Sequence, residues 1–96
     1  MLNIRLMADY LCHPLWYLSQ DGYEGIDPGD LPISMALQLR LEKWACAYDK
    51  TLDMNDPANS GFHNANAEAA FQLEGYQLAE RLRNELGPGY VVLAKL

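Results

Sequence analysis

The alternation Leu2-Asn3-Ile4-Arg5-Leu6-Met7-Ala8-Asp9-Tyr10 decides the fold class, since Leu2, Ile4, Leu6, Ala8 and Tyr10 share one side of an extended chain. Asn3, Arg5, Met7 and Asp9 take the other side, which is the period of a strand with one buried face. A counterpart lies at the far end, where Tyr90-Val91-Val92-Leu93-Ala94-Lys95-Leu96 follows Gly87-Pro88-Gly89 and is rich in β-branched residues. Both chain ends are expected in one sheet.

Between them, two helices have start and stop signals. Ser34 is the N-cap of the first, and Leu37, Leu41, Trp44, Ala45, Tyr48 and Leu52 recur at helical spacing, which predicts a helix from about Ser34 to about Asp53. The second starts near Asn64 or Asn66, carries Ala67, Ala70, Phe71, Gly75, Leu78, Leu82 and Leu86 along one stripe, and stops at Gly87 before Pro88. Gly75 in mid-helix points to close approach by a neighbouring element. The order strand, long loop, helix, loop, helix, strand predicts an α+β fold: a small sheet of N- and C-terminal strands packed under an antiparallel helical hairpin. The simplest arrangement makes the two strands antiparallel. Two strands alone are marginal, so either part of Leu11 to Ile33 adds a strand, with Trp16-Tyr17-Leu18 the best candidate, or a partner covers the edge.

Length and charge narrow the function. Ninety-six residues fit a single domain, residues 1–96, and 50% hydrophobic composition supplies a modest core. Seven basic against thirteen acidic side chains leave a net charge of -6, the wrong sign for phosphate, so nucleic-acid and anionic-membrane partners are disfavoured. Cys12 and Cys46 form no CxxC and are too few for a disulfide framework, and Asn3, Arg5 and Asp9 interrupt any apolar leader; a cytoplasmic location is expected. The charge is also uneven. The basic-free stretches Leu6 to Leu39 and Thr51 to Glu80 each hold five of the thirteen acids.

The long loop of the first stretch sets Trp16, Tyr17 and Tyr23 among Asp21, Glu24, Asp27 and Asp30. As a functional feature it is an acidic, aromatic face for a basic partner, because buried aromatics supply most interface energy and complementary charge speeds encounter. As ordinary structure, Leu15 and Trp16 plug the core, Asp27-Pro28-Gly29-Asp30 is a turn, and the acids solvate the loop. Asp49, Asp53 and Asp56 make a second acidic patch at the end of the first helix. Asp-Met-Asn-Asp-Pro lacks the ligand alternation, central Gly and terminal Glu of a calcium loop, and turn chemistry at Asn55-Asp56-Pro57 outweighs a metal. Adjacent Cys12 and His13 point apart in an extended segment and make no thiolate-imidazole couple by themselves; His63 is the other histidine, and a hydrolase would need a pocket joining a histidine to Cys12 or an acid. No catalytic, cofactor-binding or metal-binding residue is assigned.

Arg5-Leu6-Met7-Ala8-Asp9-Tyr10, Pro14-Leu15-Trp16, Ile26-Asp27-Pro28 before Leu31-Pro32-Ile33-Ser34, Trp44 through Tyr48-Asp49 to Asp56-Pro57, and Ser60-Gly61-Phe62 resemble a family of small bacterial proteins. In size and charge the chain is similar to the immunity proteins of bacterial toxin systems, including contact-dependent growth inhibition. That resemblance implies a non-enzymatic inhibitor of a cognate toxin domain. The acidic, aromatic composition of the chain points to a basic, nuclease-type toxin bound through Trp16, Tyr17, Asp21, Tyr23, Glu24, Asp27 and Asp30, with Asp49, Asp53 and Asp56 as the second patch. The alternative is a structural or regulatory module that homodimerises through the edge of the Tyr90–Leu96 strand.

Overall fold

A computed structural model describes residues 2–20, 22–52, 61–62 and 64–95. Strands β1 (Leu2–Leu6), β2 (Leu15–Ser19) and β3 (Gly22–Ile26) come first, followed by a 3-10 turn at Pro28–Asp30. Helices α1 (Met35–Asp49) and α2 (Ala65–Leu86) lead to strand β4 (Tyr90–Ala94). The sheet is four-stranded in the order β3-β2-β1-β4, so the α+β class holds and the long loop supplies two strands to the sheet. One is the strand expected at Trp16-Tyr17-Leu18; the other, Gly22-Tyr23-Glu24-Gly25-Ile26, stands where the sequence pattern predicts only loop.

The expected antiparallel pairing of the terminal strands is wrong. β1 and β4 are parallel, with Ile4 opposite Val92. The chain makes one more reversal than the two helices supply. β3 runs the same way as β1, because each is antiparallel to β2. The N-terminus of α1, however, meets the C-terminal end of α2 through Ser34 and Glu85, beside the start of β4. Residues 27–34 therefore carry the chain back across the sheet, and β4 ends up running with β1.

The inner face of the sheet packs on both helices. Ile4, Leu6, Leu15, Ile26 and Val92 meet Leu37, Leu41 and Trp44 of α1 and Leu78, Ala79, Leu82 and Leu86 of α2 in one buried cluster. Pairing of Arg5 with Trp16 and Leu93, and of Leu18 with Tyr23, puts those side chains on the opposite face. Gly75 is buried, whereas Ala67 and Ala70 of the expected stripe are exposed. Length explains this: a 22-residue helix spans about 33 Å against about 17 Å for a five-residue strand, so α2 overhangs the sheet at its N-terminal end.

Caps set the helix ends. The Ser34 hydroxyl accepts from the Leu37 amide and the Asn64 side chain from the Ala67 amide, while Gly87 (φ 78, ψ -165) ends α2 in an extended, positive-φ conformation open to glycine. α1 stops at Asp49 instead of the expected Asp53, because Thr51 turns back on it, its amide and hydroxyl both donating to the Tyr48 carbonyl.

A charged clasp joins the two helix ends. The Ser34 amide and hydroxyl donate to the Glu85 carboxylate at 2.6 and 2.9 Å, and Arg81 Nε donates at 2.6 Å. Chiefly the Ser34 amide, with Arg81 and the Ser34 hydroxyl assisting against partial burial, holds Glu85 below its ordinary 4.5. A folded-state pKa below the unfolded value adds stability above pH 4.5 that is lost as pH falls through the folded pKa. Glu85→Gln is accordingly expected to lower the urea midpoint at pH 7 and to leave it nearer wild type at about pH 3. Equal losses at both pH values would exclude a role for the carboxylate charge.

Candidate functional site

The connection from β1 to β2 folds into a tip tied down at several points. At its base the Met7 amide donates to the Pro14 carbonyl, and the Trp16 indole donates to the Met7 carbonyl. Above this, the Tyr10 amide donates to Asp9 Oδ1, the Cys12 amide to the Asp9 carbonyl, and the Leu11 amide to Asp49 Oδ1 at 2.9 Å. The Tyr10 ring stacks on Tyr48 at 4.6 Å, and its hydroxyl lies 3.2 Å from Thr51 Oγ1. Burial, then neighbouring Tyr10 and Asp9, raise the Tyr48 phenol above its ordinary 10, which keeps it neutral.

Beside the tip is a depression of about 460 Å³ lined by Leu11, Cys12, His13, Gly25, Glu42 and Asp49. His13, Asp27 and Glu42 each bring a ligand atom within 4.8 Å of the others, with His13 Nδ1 3.8 Å from Glu42 Oε1. Their donor set suits a divalent cation, but all three are exposed, and exposed groups of this kind are common without one. Cys12 and His13 share the depression with two carboxylates, so a pocket of the sort a hydrolase needs does exist; no hydrogen bond joins the thiol to the imidazole.

The residues proposed from sequence separate into groups. Trp16 and Tyr23 lie on the outer face of the sheet, where the Arg5 guanidinium sits 4.3 Å from the Tyr23 ring centroid. Tyr17 packs against the core, with Glu24 opposite it on the inner side of the edge strand. Asp27 caps the 3-10 turn by accepting from the Gly29 amide, and Asp30 ends that turn. Asp27 and Asp49 are brought to the same region, Asp27 beside His13 and Glu42, and Asp49 in the depression they line. Asp21, Asp53, Asp56 and His63 lie outside the described residues, as do Asn55-Asp56-Pro57.

Glu42 and Leu11 are not among the residues singled out from sequence. Two helical turns separate Glu42 from Asp49, which puts them on one face of α1, and that spacing is the available signal. Nothing in the sequence marks Leu11.

Pairing of charge follows the same division. Among the described residues, the Lys or Arg ion pairs are Arg40 with Glu74, Arg81 with Glu85, and Arg83 with Glu80. Asp9, Glu24, Asp27, Asp30 and Asp49 take part in none of them, nor do Glu42 and Glu68 on the helices. A separate apolar cleft of about 1420 Å³ opens between the helices where α2 overhangs, floored by Trp44, Phe62 and Phe71.

At the β4 edge, the Leu2 amide donates to the Gly89 carbonyl and the Lys95 amide to the Leu6 carbonyl, so alternate residues turn their backbone groups to β1 and those of Val92 point away from it. Arg83 Nε and Nη2 donate to the Val92 carbonyl at 3.1 and 2.9 Å. The central outward acceptor of this edge is thus occupied.

A family model described as Serratia CdiI immunity protein-like matches residues 2–94. No curated protein matches the sequence.

Proposed function

The chain belongs to the Serratia CdiI immunity protein-like family, and from that premise we propose that it neutralises a basic, nuclease-type toxin domain through its unpaired acidic end. The general role, an immunity protein that binds a cognate toxin, comes with the family; the toxin class and the surface are the proposal. One observation supports it above others: three of the four glutamates of α2, at 74, 80 and 85, are matched by arginines, whereas Asp9, Glu24, Asp27, Asp30 and Asp49 have no Lys or Arg ion pair among the described residues. An acidic surface of that kind complements a groove built for phosphate, and occupying the groove bars the nucleic acid without any catalytic group. Trp16 and Tyr23 are turned to the other sheet face, so the acids, with the tip beside them, form the centre of the proposed surface.

Calorimetry with a purified toxin domain, sought in the gene next to this chain's own, is the direct test. Expected is a 1:1 complex in the nanomolar range that weakens as salt rises. An affinity indifferent to salt would overturn the basic partner.

Self-association through β4 is disfavoured by Arg83. The chain is expected to sediment as a monomer at micromolar concentration, and Arg83→Ala, which frees the Val92 carbonyl, to shift toward dimer. A wild-type dimer lost on blocking the β4 edge would favour the homodimeric module instead.

A further inference from the structure

We propose that Leu11 is the apolar anchor of the toxin-binding surface, a side chain held outward at the acidic tip to enter an apolar pocket rimmed by cations on the toxin. The inference rests on the toxin-binding role above and adds the residue that dominates it.

Three observations converge on this side chain. First, Leu11 is 80% exposed, the most exposed of the large hydrophobic side chains among the described residues. Second, its backbone lies at φ 58, and Leu11 is the one described non-glycine residue with positive φ. Glycine, asparagine and aspartate tolerate that region better, so leucine here is unfavourable both in its backbone and in its contact with water. Third, the conformation is imposed from outside. Asp49 Oδ1 fixes the Leu11 amide, Asp9 fixes the amides on either side, and the Tyr10–Tyr48 stack fastens the preceding residue to α1.

Strain maintained by surrounding contacts, at a side chain that packs on little of its own protein, marks a site of recognition more than of folding. A tip ordered before contact also loses little freedom on binding. Asp49, Glu42 and His13 line the depression next to Leu11, and Asp27 adjoins them. The fitting pocket is therefore apolar at its centre, with lysine or arginine at the rim, matching a buried anchor inside a polar ring.

The test uses the full chain and the same toxin domain. Leu11→Asn and Leu11→Gly accept the backbone, so both are expected to keep or slightly raise the thermal midpoint while weakening toxin affinity about 20-fold, mainly in the dissociation rate. Asp49→Asn retains an acceptor for the Leu11 amide and is expected to weaken binding less than Asp49→Ala, which frees the tip. Wild-type binding with unchanged affinity in both Leu11 variants overturns the anchor alone. Absence of wild-type binding overturns the toxin partner and the anchor together. Leu11-dependent dimerisation in sedimentation would give the pocket to a second copy and overturn the toxin as occupant.

Discussion

Trp44→Ala is expected to lower the unfolding free energy by about 3–5 kcal/mol, enough to leave much of the chain unfolded at room temperature if its stability lies near the low end for small domains. Trp44 is 3% exposed and sits where α1 crosses α2. Its ring stacks on Phe71 at 4.5 Å with planes 6° apart, and its indole N–H donates to the Phe71 carbonyl at 2.9 Å. Phe71 in turn touches Tyr48 and Phe62, and Tyr48 stacks on Tyr10, so the truncation removes the centre of an aromatic chain that runs to the acidic tip. Because the apolar cleft opens beside it, water is expected to reach the vacated space. Trp44→Phe keeps a ring for the stack and loses the hydrogen bond; a loss of about 1–2 kcal/mol is expected. Urea denaturation followed by circular dichroism measures both. A loss under about 1 kcal/mol for the alanine variant would mean that the helix hairpin is held elsewhere.

Part of this architecture is legible in local chemistry. Alternation in Leu2–Leu6 and the β-branched run at Tyr90–Ala94 are consequences of one buried sheet face, and Ser34, Asn64 and Gly87 are caps whose side chains or backbone demand their positions. β3 is not legible because Gly-Tyr-Glu-Gly-Ile has two glycines and a glutamate, and only Ile26 is buried; its pairing with β2 makes it a strand. The direction of β4 is illegible for another reason. It depends on residues 27–34 returning across the sheet, a property of the whole path that no local pattern encodes. Within the candidate site, composition points to Asp27 and Asp49 but gives no means of separating them from Trp16 and Tyr23, which strand alternation sends to the far face. The role of Leu11 arises from the sign of one backbone angle, and leucine gives no indication of positive φ.

Reversing the acids of the long loop is the stronger trial of the functional surface. The quadruple variant Asp21→Lys, Glu24→Lys, Asp27→Lys, Asp30→Lys is expected to weaken toxin affinity at least 100-fold at low ionic strength, chiefly by slowing association, with the gap narrowing as salt screens both proteins. Asp27 also caps the 3-10 turn through the Gly29 amide, so a structural loss of about 1 kcal/mol accompanies reversal there. The neutral set Asp21→Asn, Glu24→Gln, Asp27→Asn, Asp30→Asn separates the two effects. Within it, Asp27→Asn retains a capping oxygen while the charge is gone, and roughly half of the logarithmic affinity loss should persist. Set against the single loop reversal Glu24→Lys, which changes the net charge by the same amount, Glu80→Lys is the matched control, since it alters a charge on α2 that faces Arg83 at 3.4 Å and lies outside the proposed surface. It is expected to change affinity less than about 3-fold, because exposed ion pairs of this kind contribute little. Comparable losses from Glu80→Lys and from Glu24→Lys would reduce the effect to net charge alone. Wild-type affinity and salt dependence in the quadruple variant would remove the acidic end as the binding surface, leaving the Trp16 and Tyr23 sheet face and the interhelical cleft as the remaining places for the toxin to sit.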